Sequence, residues 1–200
     1  MQEEDRARGP SRRGIIATAP LFPLVALRAA TPAAGAVFSP AQLRLIEAVA
    51  DRLIPSDENG PGARECGVAT YIERSFADAL AGEKAAFAAG LGATDALSRG
   101  RHDAIFADLD AAKKDEVLTA MENNGASGFS PDSRTFFYRV RQLTLEGMFS
   151  DPFYGGNRGF AGWDLIRYPG PRLAVSTDEQ KLREPIKPLR TSAHGGRHGG

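Results

Sequence analysis

The chain has 200 residues, 42% of them apolar and 25% charged, with 25 basic side chains balanced by 25 acidic ones. Zero net charge, with the lysines and arginines scattered, excludes the long-range attraction and basic patch that nucleic-acid binding requires. A single cysteine, Cys66, excludes an internal disulfide, a C-x-x-C-H haem attachment and an iron–sulfur cluster held by this chain.

The first 36 residues read as an export signal. Glu3, Glu4, Asp5, Arg6 and Arg8 lead to Ser11-Arg12-Arg13, followed by the apolar run Gly14 to Leu27. That run contains Pro20 and Pro23 and is shorter than the roughly 20 apolar residues a bilayer-spanning helix needs. Arg28 and a small-residue stretch ending Ala34-Gly35-Ala36 complete the basic, apolar and small-residue parts of a cleavable signal. The pair Arg12-Arg13 resembles the twin-arginine signal, which carries folded proteins across a bacterial inner membrane. Removing residues 1–36 takes away five basic and three acidic residues and leaves a net charge of about −2.

Helical signals follow in order. Ser39-Pro40-Ala41-Gln42 is a capping box with proline in the first turn, and Leu43, Ile46, Val49 and Leu53 continue as one apolar face until Pro55. Pro55 to Gly67 is a polar turn region, in which Asp57 and Glu58 read as solvated. Cys66 within it is either a small buried hydrophobe or, in an exported chain, a free thiol or a link to another chain. Val68, Ile72, Phe76 and Leu80 predict a second helix over 68–81. A third runs over 83–100, with Phe87, Leu91 and Leu97 inward and Gly90 and Gly92 as weak points. Asp110 caps a helix over 111–122 that Asn123-Asn124-Gly125 ends. Ser130-Pro131 repeats the start signal of Ser39-Pro40. From there to Ser150 the apolar residues Phe136, Phe137, Val140, Leu143, Leu145, Met148 and Phe149 lie on more than one face, which predicts a central helix.

Phe149 to Pro171, FSDPFYGGNRGFAGWDLIRYPGP, holds Phe149, Phe153, Tyr154, Phe160, Trp163 and Tyr168 among five glycines and three prolines. Neither a 3.6 nor a 2.0 period fits these rings, so an ordered irregular loop is expected. Its rings either roof the protein's own core or form a partner-binding surface. Asp164 and Arg167 are placed to pair and hold its shape. Beyond Pro171 the periodicity stops, and residues 172–200, which include His194 and His198 between glycines, read as a flexible tail.

The predicted fold is therefore all-α: a single helical domain over 37–171 of four to six helices, with an ordered Gly/Pro/aromatic C-terminal loop, between flexible termini. No nucleophile elbow, phosphate-cradling loop, dinucleotide fingerprint or H-E-x-x-H pattern is present. His102, the sole histidine of the body, reads as a solvated residue. No catalytic, cofactor-binding or metal-binding residue is assigned.

The segments FSPAQLRLIEAVADRLIPSD, FYRVRQLTLEGMFSDPFYGGN and GWDLIRYPGP, with the paired arginines of the leader, resemble the gluconate 2-dehydrogenase subunit 3 family over about Phe38 to Pro171. The order Gly155-Gly156-Asn157, Gly162-Trp163, Tyr168-Pro169-Gly170 is the most specific part of the likeness. The resemblance implies a small non-catalytic subunit of a periplasmic dehydrogenase, without a cofactor of its own. Its partner would be an FAD-dependent catalytic subunit of the glucose–methanol–choline type. A further subunit, a multihaem cytochrome c, would carry haem c, and membrane association would come only through the complex. The implied job is to assist folding and flavin loading of the catalytic subunit and, through Arg12 and Arg13, its export. Phe153, Tyr154, Trp163 and Tyr168 would then be the contact residues, with Cys66 a candidate for an intersubunit disulfide. The alternative is a free-standing exported helical binding module.

Overall fold

Ser39 starts the first helix as its side chain predicts. In the computed structural model, which describes residues 36–172, 174–181 and 186–194, the Ser39 hydroxyl accepts from the Gln42 amide while Gln42 Oε1 accepts from the Ser39 amide at 2.9 Å. Six α-helices follow: α1 Pro40–Leu53, α2 Val68–Ala77, α3 Lys84–His102, α4 Ala111–Glu122, α5 Ser133–Phe149 and the short α6 Ala161–Leu165. Single 3-10 turns occur at Ala81–Glu83, Phe106–Asp108, Pro152–Tyr154 and Arg158–Phe160. Among the described residues there is no strand, only an isolated bridge between Asp57 and Gly60. The all-α reading holds.

α5 is the central helix that its apolar distribution predicts, touched by α1, α2, α3, α4 and α6. Its buried side chains Phe136, Phe137, Val140, Leu143 and Met148 join Ile46 and Val49 of α1, Ile72 and Phe76 of α2, Leu91 of α3 and Val117, Leu118 and Met121 of α4. A file of rings crosses this core, Phe38 to Phe76 at 5.3 Å, Phe76 to Phe87 at 4.4 Å and Phe87 to Phe136 at 5.4 Å, spacings at which tilted and edge contacts are favourable. Leu145, expected inward, is 36% exposed, because the outer side of α5 is left uncovered there. Gly147 lets α2 close in, with Tyr71 and Val68 at 3.1 Å from where a β-carbon would stand.

Helix boundaries differ from expectation in α3, which runs past Gly100 to His102, and in α5 and α2. α5 begins at Ser133, not at the Ser130-Pro131 signal, because the Asp132 carboxylate accepts from the Thr135 amide at 2.8 Å and takes the capping role. α2 ends at Ala77, where the Leu80 amide turns back to the Ser75 carbonyl at 2.8 Å. α4 begins and ends as predicted, with Asp110 as its cap.

The two glycines inside α3 have opposite packing. A β-carbon on Gly90 would stand 2.2 Å from the Phe136 ring, whereas nothing lies within 4 Å of one on Gly92. Gly90→Ala is therefore expected to destabilise by about 1–2 kcal/mol, overpacking outweighing the helix-propensity gain. Gly92→Ala should stabilise by up to about 1 kcal/mol. Urea midpoints for the two variants check the pair.

Candidate functional site

A helix end leaves its last carbonyls without intrahelical donors, and at the end of α5 the aromatic loop supplies them. The Asn157 amide donates to the Gly147 carbonyl at 2.8 Å, Asn157 Nδ2 to the Ser150 carbonyl at 2.8 Å, and Trp163 Nε1 to the Phe149 carbonyl at 2.9 Å. Asn157 Oδ1 faces the other way and accepts from the amides of Gly162 at 2.8 Å and Trp163 at 3.3 Å, in the first turn of α6. One fully buried side chain thus closes the end of α5 and the start of α6 together. The approach is tight: β-carbons on Gly156 and Gly162 would stand 2.1 Å and 1.9 Å from the carbonyl oxygens of Gly147 and Met148.

A second tie runs to the turn before α2. The Arg158 amide donates to the Cys66 carbonyl at 3.0 Å. Cys66 is completely buried, and burial, reinforced by the charge of Glu65, pushes its thiol up. In this conformation another chain cannot reach the sulfur, so the packing favours the small-hydrophobe reading over an intersubunit disulfide. Nearby, the Tyr71 hydroxyl donates to Glu146 Oε2 at 3.0 Å, and burial together with that carboxylate pushes the phenol up. A groove of about 410 Å³ opens beside it, between α2 and the loop, lined by Tyr71, Arg74, Asp78, Phe153 and Tyr154 among others.

The loop so held displays some rings and keeps others. Phe153 and Tyr154, in contact at 5.3 Å, are 45% and 46% exposed, and Tyr168 is 38% exposed. Trp163 is only 6% exposed, under Tyr168 at 4.8 Å and beside Phe160 at 5.3 Å. Its indole is a support for the loop in this conformation, because its N–H serves α5. Phe160 and Trp163 are thus packed inward, whereas Phe153, Tyr154 and Tyr168 are left partly in solvent. Sequence reasoning missed Leu165 and Ile166, 39% and 54% exposed, which extend the displayed apolar surface. The signal was an apolar pair too close together for a five-residue helix to bury both. Among the described residues, eight of the ten exposed large apolar side chains lie between residues 153 and 189.

Polar contacts around the loop differ from expectation. Asp164 pairs with Arg190 at 2.6 Å instead of with Arg167, which contributes only its amide, to the Asp164 carbonyl at 3.1 Å. His194 stacks on Phe153 with ring centroids 4.5 Å apart. His102 is nearly covered and faces Glu116 at 3.5 Å. For Asp151, burial works against ionisation, but the Phe153 amide, the Ser192 hydroxyl and the Ala193 amide outweigh it and hold the carboxyl below its ordinary value. Arg12 and Arg13 lie outside the described residues.

Among the described residues no group of three histidine, cysteine, aspartate or glutamate side chains could hold a metal, and no helix is long and apolar enough to cross a membrane. The loop presents partly exposed apolar side chains on a hydrogen-bonded backbone. The family model for gluconate 2-dehydrogenase subunit 3 matches residues 40–170, from the first residue of α1 to the glycine that ends the loop. This chain belongs to the gluconate 2-dehydrogenase subunit 3 family. As a subunit 3 protein it is part of a dehydrogenase assembly, which implies a catalytic partner subunit. The match takes in every loop residue that ties into α5, and all four of the expected contact residues. No curated protein and no solved structure matches the chain.

Proposed function

We propose that this protein is a non-catalytic accessory subunit that docks on the FAD-dependent catalytic subunit of its dehydrogenase, assists its folding and flavin loading, and carries it through twin-arginine export to the periplasm. The observation that supports this most is the concentration of exposed apolar side chains on one loop whose backbone is held by buried hydrogen bonds. Fixed rings lose little conformational freedom on docking, so more of their contact energy appears as affinity. Phe153, Tyr154 and Tyr168, with Leu165 and Ile166 beside them, are the proposed contact set. The flavin belongs to the partner in this reading, and a multihaem cytochrome c subunit takes the electrons at the membrane.

The test is fractionation of cells that make the full-length chain. It should be recovered from the periplasm together with a flavin-containing dehydrogenase subunit, whereas the chain purified alone should carry no flavin absorbance. Arg12→Lys combined with Arg13→Lys is expected to hold both proteins in the cytoplasm. A chain that fractionates with no flavoprotein overturns the accessory role, and export unchanged in the double variant overturns the carrier role.

A further inference from the structure

Residues 186–194 run along the aromatic loop. The Leu189 amide donates to the Pro169 carbonyl at 2.9 Å, and the Ala193 amide donates to Asp151 Oδ2 at 2.7 Å. Arg190 reaches Asp164, and the Arg172 guanidinium donates to the Lys187 carbonyl. At the end of the segment His194 lies over Phe153 and shares a 3.2 Å hydrogen bond with the Tyr154 hydroxyl. The seat is shaped for it: the Leu189 carbonyl comes so near Gly170 that a β-carbon there would stand 2.2 Å away. The segment therefore occupies one edge of the two rings proposed to dock the partner.

What holds it in place is polar and peripheral. Ser192 is the one buried residue between 186 and 194, and Ile186 and Leu189 leave 36% and 42% of their surface in solvent. The Arg190–Asp164 pair is itself exposed, and such pairs add little. A segment fastened by backbone hydrogen bonds, with its apolar side chains only partly covered, opens far more easily than the helical core. It also lies outside the span that matches the family.

We propose that residues 186–194 are a strap that covers the aromatic docking edge in the free chain and is displaced when the catalytic subunit binds, an inference that rests on the docking role of Phe153 and Tyr154. With the strap seated Phe153 and Tyr154 remain 45% and 46% exposed, so it blocks only the edge that His194 covers, and the apparent affinity of a partner needing that edge falls by the fraction of open chains. The strap also shields exposed rings from non-productive contacts until the right surface arrives.

The experiment uses the full-length chain, the double variant Arg190→Ala with His194→Ala, and the purified flavin-containing catalytic subunit. Circular dichroism verifies that the variant keeps its helices. The variant is expected to bind about three- to tenfold more tightly than the unaltered chain. In the unaltered chain the Leu189 and Ala193 amides should exchange slowly with deuterium when free and quickly in the complex. Unchanged or weaker binding by the variant, or amides that stay protected in the complex, overturns the strap and leaves the docking role standing. An unaltered chain that does not bind the catalytic subunit at all overturns both.

Discussion

Replacing Asn157 by alanine is expected to lower stability by about 3 kcal/mol. The buried amide makes one donated and two accepted hydrogen bonds, to Ser150, Gly162 and Trp163, and all of its partners are backbone groups that water cannot reach without opening the loop. Truncation leaves those groups unpaired, and an unpaired buried group costs more than the bond it made contributes. Asn157 also sits at φ 44°, a left-handed conformation in which alanine is strained. Asn157→Gly loses the same hydrogen bonds without that strain and should recover up to about 1 kcal/mol of the loss. For a chain of this length the alanine variant corresponds to a fall in Tm of roughly 6–12 °C. Trp163 is the sole tryptophan and lies against Asn157, so its fluorescence reports the loop while far-ultraviolet circular dichroism reports the helices. The variant should show Trp163 becoming solvated before the helices melt. A loss under about 1 kcal/mol, with the two signals still coincident, would remove Asn157 as the fastener of the loop.

The second large effect separates binding from stability. Phe153→Ala, Tyr154→Ala and Tyr168→Ala are each expected to weaken capture of the catalytic subunit about 30-fold, the equivalent of about 2 kcal/mol for a central aromatic contact. Because these rings are 38–46% exposed, the urea midpoint of the free chain should barely move. Trp163→Ala should do the reverse. It removes a buried ring and leaves the Phe149 carbonyl unpaired, so it is expected to cost about 3–4 kcal/mol of stability. Its capture defect should follow only from loosening the loop and diminish at low temperature. If the three exposed-ring variants bind like the unaltered chain, the docking surface lies elsewhere.

The helices were legible where local chemistry decides them. The Ser39–Gln42 box, the Asp110 cap and the stop at Pro55 involve partners three or four residues apart, and each stands where expected. The start of α5 was misplaced because two capping signals lie two residues apart, and only the geometry chooses the Asp132 carboxylate. The loop was recognisable as an aromatic display, yet its rings could not be sorted into displayed and supporting. Burial of Trp163 depends on the α5 carbonyl that its indole meets, a contact 14 residues distant with no periodicity behind it. Asn157 was visible only as a residue of a glycine-rich turn, since an asparagine that bridges two helix ends looks like any other loop asparagine. The partners of residues 186–194, Asp151 42 residues away and Asp164 26 residues away, leave no mark on the local pattern.

The central claim is that this chain serves a flavoprotein instead of performing chemistry itself. It is tested most directly by producing the catalytic subunit in cells with and without this chain and measuring the FAD bound per mole of soluble catalytic subunit. The account predicts that soluble, flavin-loaded catalytic subunit falls sharply when the chain is absent and is restored when it is supplied on a second plasmid. Equal yield and equal flavin occupancy in both strains would contradict it.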